Sequence, residues 1–265
     1  MNKYWAIFKT QLLNNLAYVG NLLTGSIAII LFMFLFAQLW RVAYRSTGSD
    51  TLAGLAFHDV LWYLLLAEVI ELSKPRLAQS IAQSIAQSVR DGSIAYQLSK
   101  PYNFLFYQCS VGLGDSVLKI GFNALVGGAV VWLLVGPPPD PRWWPLVLVT
   151  VLGAWLIYFC FTALIGLAAF VTEEVRAFEW IYQKFVFILG GFLIPLDLYP
   201  DWLQPIAKAT PFAQAIYGPA RFFVDPSWAR FGQVVLGQWL WLAVLLGLLA
   251  FLYQQSVQRL AINGG

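Results

Sequence analysis

Long, continuously apolar runs alternate with short polar segments along this chain, and no intervening segment is large enough to fold as a soluble domain. A helix needs about 20 apolar residues to cross a hydrocarbon core of ~30 Å. Six runs meet or approach that length: 19–40, 56–72, 104–135, 143–171, 180–195 and 232–253, the fifth being the shortest. Period-2 alternation is absent, so the runs predict helices and not a membrane barrel. The expected fold is all-α: a polytopic membrane protein with six transmembrane helices, in which residues 1–265 form a single transmembrane domain.

The segments between the runs carry patterns of their own. In residues 1–18, Trp5, Phe8, Leu12 and Leu16 recur at helical spacing, with Lys9, Gln11, Asn14 and Asn15 away from that stripe; this predicts an amphipathic interfacial helix with its aromatic face against lipid. Residues 74–101 contain a four-residue repeat, Ala78-Gln-Ser-Ile-Ala-Gln-Ser-Ile-Ala-Gln-Ser-Val89. As a helix it stacks Leu77, Ile81, Ile85 and Val89 into an apolar ridge, with Gln79, Gln83 and Gln87 on another face. Arg90-Asp91-Gly92 then supplies a stop, because glycine readily adopts the left-handed conformation that ends helices. The ridge needs a surface to pack against. Residues 196–231 hold Pro200, Pro205, Pro211, Pro219 and Pro226 among Trp202, Phe212, Tyr217, Phe222, Phe223 and Trp228. That proline density breaks any continuous helix, and the aromatics argue against an aqueous loop, which leaves short helices dipping part-way into the membrane under the shield of their neighbours.

Composition sharpens the class: 60% of residues are hydrophobic and 11% charged, against roughly 25% charged in soluble domains. The net charge of +3 is dispersed, with no basic run or basic-aromatic stripe, which sets nucleic acid aside. Basic residues set orientation. The segment from Ser73 to Pro101 carries four of them and one acid, so this segment and both termini are expected inside the cell. The amino terminus does not read as a signal peptide. Cys109 and Cys160 lie within apolar runs, where a free thiol packs as a small hydrophobe.

Candidate chemistry is sparse. A Gly-x-x-x-x-Gly-Lys-Ser/Thr loop is absent, so the chain has no phosphate cradle of its own, and a single histidine excludes multi-histidine metal ligation. His58 and Asp59 read as a polar pair at the outer mouth of the second run. Glu68, Glu71, Asp115 and Lys119 stand out because charge at mid-bilayer costs at least ~2.5 kcal/mol; structural pairing near the inner interface is the expected account, with Asp115 and Lys119 four apart on one face. Gly112, Ser116, Ala124 and Gly128 would permit close packing of the third run. On the residues alone, a transporter driven by a separate ATPase, a secondary transporter and a membrane scaffold all remain open.

Two stretches carry a resemblance. Arg90-Asp-Gly-Ser-Ile-Ala-Tyr-Gln-Leu-Ser-Lys-Pro101 resembles the segment after the second span of type-2 ATP-binding-cassette (ABC) export permeases. Gly190-Gly-Phe-Leu-Ile-Pro-Leu-Asp-Leu-Tyr-Pro-Asp-Trp-Leu-Gln204, continuing to Phe212, is similar to that family's end of span five and the outer re-entrant helices. The resemblance runs through essentially the whole chain in span order. It implies an amino-terminal interfacial helix, six spans, a cytoplasmic coupling helix and outer re-entrant helices, in a permease that pairs with a second, identical or related, permease subunit in membrane lipid. It also implies ABC ATPase subunits that carry the ATP and Mg, with no cofactor on this chain. By the same analogy the ATPase-coupling residues are Leu77, Ile81, Ile85, Val89 and Arg90, with a secondary contact at Glu173, Glu174 and Arg176. Export of a hydrophobic or amphipathic substrate across a prokaryotic plasma membrane is the expected activity.

Overall fold

The computed structural model describes residues 3–17, 19–75, 80–172 and 174–263, and among these the chain is a helical bundle with one two-residue-per-strand hairpin. Helices α1 (Lys3–Ala17) and α2 (Val19–Thr47) lead to strands β1 (Thr51–Leu52) and β2 (Leu55–Ala56), then α3 (Phe57–Leu72). After α4 (Ile81–Arg90) and α5 (Ser93–Ser99) come the long α6 (Phe104–Val135) and α7 (Trp144–Leu167). The chain continues through α8 (Arg176–Leu189), the short α9 (Gln204–Ala209), α10 (Pro211–Ala215) and α11 (Tyr217–Val224), and closes with α12 (Trp228–Asn263).

Among the described residues four stretches are long and apolar enough to cross a membrane: Gly25–Thr47, Phe104–Val135, Pro141–Phe170 and Trp228–Gln258. The second and fifth predicted spans fall short of the other four. At ~1.5 Å per residue, the 16 residues of α3 and the 14 of α8 span roughly 24 and 21 Å. For α3 the reason is its position: Val60 through Ile70 are buried without a break, so its all-round hydrophobicity is that of a core helix. The fifth run ends at Leu189 because Gly190 to Pro195 leaves the helix, with Gly191 at φ 71° and its carbonyl accepting from the Tyr63 hydroxyl at 2.6 Å.

The helices form two groups. In the first, α1, α2 and α3 pack around α6; in the second, α4, α10 and α12 pack on α7. Direct packing between α6 and α7 is slight, and an apolar groove of about 720 Å³ lined by α6, α7 and α12 runs beside them. The seam is bridged at one end by α11, which packs on both α3 and α7, and at the other by α4. Buried polar ties hold the first group: Asn123 donates to Ser73 Oγ at 3.1 Å and accepts from Ser26 Oγ at 3.4 Å. The expected small-residue stripe on α6 is shifted. Gly112 and Ser116 are buried as predicted, but Ala124 is exposed and the closest approach falls at Gly127, with Leu65 and Ile29 against it, while Gly128 is half-buried in looser contact with Leu65 and Trp62.

Helix α1 lies along the first half of α6. Its polar edge makes the contact: Asn15 donates to the Asp115 carboxylate at 3.2 Å and Gln11 packs on Gly114, while Trp5 and Leu16 of the apolar stripe are exposed and Phe8 and Leu12 are half-buried.

The proline-rich segment breaks into α9, α10 and α11, as its composition predicts, and much of α10 and α11 is buried. Gln238 on α12 donates to the carbonyls of both Thr150 (2.8 Å) and Gln214 (3.0 Å). Asp197 clamps the segment, receiving Lys208 (2.9 Å), the Tyr217 hydroxyl (2.7 Å) and Arg221 Nε (3.1 Å). Burial alone would raise the Asp197 carboxyl, but the hydrogen bonds from Lys208 and Tyr217 and the charges of Lys208 and Arg221 outweigh it and hold the group below its ordinary value. A carboxyl whose folded value is depressed stabilises the fold above its unfolded value and stops doing so as pH falls through the folded one. Protection of the amides across residues 204–224 against exchange, relative to their intrinsic rates, is therefore expected to be flat between neutral pH and ~pH 5 and to fall below ~pH 4. In Asp197→Asn that acid step should disappear; its persistence would assign the transition to another group.

Candidate functional site

The four-residue repeat becomes helical from Ile81 to Arg90. Ser80 caps it, its hydroxyl accepting from the Gln83 amide at 3.0 Å. Gly92, at φ 72°, turns the chain directly into α5, which is the stop predicted from Arg90-Asp91-Gly92. The ridge finds its packing surface within the chain. Ile81 and Ile85 are 4% and 0% exposed. Ile81 seats against Gly112 of α6, and Ile85 and Ala82 against Gly166 of α7. A Cβ placed on Gly166 would lie 2.8 Å from the Ile85 Cβ and 3.2 Å from the Ala82 backbone, so this close approach depends on the absence of a side chain.

The glutamine row divides, since Gln83 is buried and Gln87 exposed. Glu179, on the first turn of α8 and 5% exposed, receives Ser80 Oγ and Gln83 Nε2, both at 2.5 Å. The carboxylate thus sits at the N-terminus of α4, where the helix dipole and unsatisfied amides favour negative charge. Sequence reasoning missed Glu179 and Ser80. The available signal was the capping pattern Ser-x-x-Gln, which occurs at Ser80–Gln83 and again at Ser84–Gln87, so the repeat conceals which serine begins the helix.

The predicted coupling residues therefore have distinct placements. Ile81 and Ile85 are internal, Val89 is half-buried and Arg90 is exposed at the end of α4. Glu174 and Arg176 are exposed at the start of α8, with the Glu174 carboxylate accepting from the Arg176 amide at 2.8 Å. Leu77 and Glu173 lie outside the described residues. Through Glu179 and the contact of α4 with residues 168–170, the structure brings the two connectors together. On these connectors Gln87, Arg90, Tyr96, Glu174 and Arg176 are exposed.

A cavity of about 400 Å³ lies between α2, α3, α7 and α8. Glu68, Glu71, Lys74, Tyr158, Glu179 and Tyr182 supply its polar wall. Lys74 pairs with Glu71, and its ammonium lies 5.0 Å from the centroid of the Tyr158 ring and 5.9 Å from that of Tyr182. Pairing accounts for Glu71, and likewise for Asp115 with Lys119 at 2.5 Å. It does not account for Glu68, which is 1% exposed and whose two carboxylate oxygens have no hydrogen-bond partner among the described residues. His58 and Asp59 have the structural role expected: the imidazole bridges Asp59 (3.0 Å) and the Pro137 carbonyl (2.8 Å), while Asp59 accepts from the Ala56 amide at the start of α3.

Residues 27–264 match the family model described as ABC-2 family transporter protein. No curated protein matches the chain.

Proposed function

The chain belongs to the ABC-2 transporter family and is a membrane transport subunit of an ABC transporter; from this premise we propose that it forms the pathway of an ATP-driven exporter for amphipathic or hydrophobic substrates. The reading rests on one observation above the rest: α4 is docked into the bundle by its apolar ridge and tied at its N-terminus to the start of α8 through the buried Glu179, while Gln87 and Arg90 on α4 and Glu174 and Arg176 at the start of α8 stay exposed. In this reading these exposed residues receive a separate ABC ATPase, which carries ATP and Mg. ATPase closure displaces α4, and α4 carries α7 with it. Two such permeases, identical or related, enclose the pathway in the lipid bilayer of a prokaryotic plasma membrane, with both termini cytoplasmic. Helices α3 and α8 complete six crossings, α1 lies at the inner interface, and α9 to α11 form the outer re-entrant segment.

The burial of Ile81 and Ile85 divides the coupling assignment into two roles. They anchor α4, and Arg90, Glu174 and Arg176 make the contact. Aspartate at Ile81 or Ile85 would unseat α4 and so could not isolate the ATPase contact, whereas charge reversal at exposed positions can. Purification of the tagged chain from its native membrane is expected to recover a stoichiometric P-loop ATPase with vanadate-sensitive turnover. Arg90→Glu with Arg176→Glu should reduce that recovery about tenfold, and Arg142→Glu, on the loop before α7, should leave it unchanged. Full recovery with the double variant would refute this contact surface; reproducible absence of any ATPase from the intact protein would refute the ATP-driven reading itself.

A further inference from the structure

The cavity between α2, α3, α7 and α8 places three carboxyl groups, Glu68, Glu71 and Glu179, against one ammonium, Lys74, among the described residues that line it. Glu179 is satisfied by neutral donors and Glu71 by Lys74. Among the described residues Glu68 has no hydrogen-bond partner, although a buried carboxylate without one is among the most costly arrangements in a protein. The Tyr182 hydroxyl on the same wall is also without a partner. Both groups belong to residues that line a space large enough for a small organic group, and both lie just behind its surface.

The remaining wall defines the chemistry of that group. The Tyr158 and Tyr182 rings already flank an ammonium, and Phe187 and Phe192, stacked with centroids 4.8 Å apart, line the cavity beside them. Aromatic faces with carboxylates behind them recognise organic cations, because the ring quadrupole and the fixed negative charge act in the same direction. Lys74 is this protein's own occupant of such a place, its ammonium standing in for an amine. Towards the outside the lining becomes apolar, through Phe32 and Leu193, which are 40% and 44% exposed.

We propose that this cavity binds the charged group of an amphipathic organic monocation: Glu68 supplies the counter-charge, Tyr158 and Tyr182 the aromatic faces, and Phe32 and Leu193 the path for its apolar body. The proposal rests on the transport reading above and narrows its substrate class to cations, and it concerns equilibrium binding to this chain alone. The same chemistry is offered by a freely diffusing amphipathic amine and by a lipid headgroup such as choline.

Tetraphenylphosphonium binding to the purified chain in nanodiscs, without ATPase or ATP and with empty nanodiscs subtracted, tests it. In phosphatidylglycerol discs the cation is expected to bind saturably, and tetraphenylborate, of the same shape and opposite charge, is not. Glu68→Gln, which keeps the side-chain volume, should weaken binding at least tenfold, and Lys74→Met, which removes the internal cation, should tighten it. Phosphatidylcholine discs distinguish the source: suppressed binding identifies a headgroup occupant, and unchanged binding a freely diffusing one, each requiring the same cation site. Absent binding, equal binding of the borate, or unaltered affinity in both variants would overturn the proposal. Because the ATPase is not involved, that result would leave the association measured by co-purification standing.

Discussion

Gly166→Val is expected to abolish transport while leaving the protein inserted in the membrane. The substitution puts carbon where Ile85 and the backbone of Ala82 already approach to 2.8 and 3.2 Å of the first added atom, and backbone cannot rotate away as a side chain can. Overpacking of this kind costs ~1 to 3 kcal/mol in well-packed cores, and here the cost falls on one interface, α4 against α7. At the upper end the ratio of seated to unseated α4 drops about a hundredfold, by the general relation of ~1.4 kcal/mol per tenfold. Protease sensitivity within residues 80–100, measured beside ATP-driven transport in reconstituted vesicles, checks this. Gly166→Ala should give an intermediate effect. Valine at 166 with native protease resistance and native transport would mean that α4 is not held by this contact.

The second large effect is expected from Glu179→Ala. Two hydrogen bonds to a buried carboxylate are lost at once, each of a kind that contributes ~1.5 to 3 kcal/mol, and Ser80 and Gln83 are left buried without that acceptor. The N-terminus of α4 then loses its link to α8. ATP-driven transport should fall by more than tenfold, with ATPase co-purification largely retained, since Arg90, Glu174 and Arg176 are untouched. Glu179→Gln, which keeps an acceptor but not the charge, should recover part of the loss. Transport unaffected in the alanine variant would show that the two connectors act independently.

The helical, membrane-crossing character of the chain was legible because it depends on run length and on the absence of period-2 alternation, both properties of the sequence. The limits of the helices were less so. Residues 56–72 are as apolar as a lipid-facing span, but α3 is apolar because it is enclosed by α2, α6 and α11, and composition does not distinguish the two environments. The inner site was legible in part. The apolar ridge at Ile81 and Ile85 and the stop at Gly92 follow from local pattern. The surface that receives the ridge does not, because it depends on Gly112 and Gly166 arriving from two different helices. Glu179 was hidden for the same reason: its partners are 96 and 99 residues away. Glu68 was visible as a charge in an apolar run, yet only the packed structure separates it from Glu71, which takes Lys74 and leaves Glu68 without a hydrogen-bond partner among the described residues.

The seam between the α6 and α7 groups makes the chain a torsion element. Its flanks touch little along their length: α11 and α4 pin them at opposite ends, and one buried hydrogen bond, from Trp155 Nε1 of α7 to Ser116 Oγ of α6 at 2.9 Å, ties them between. Long helices resist bending, whereas weakly packed flanks slide past each other at small cost, in the manner of shear motions between packed helices. In the proposed transport reading a twist applied at α4 would be delivered to α7 and resisted at α11 and through Gln238, which ties α12 to the carbonyls of Thr150 on α7 and Gln214 on α10. The groove beside the seam is the compliant space that this rotation widens or closes.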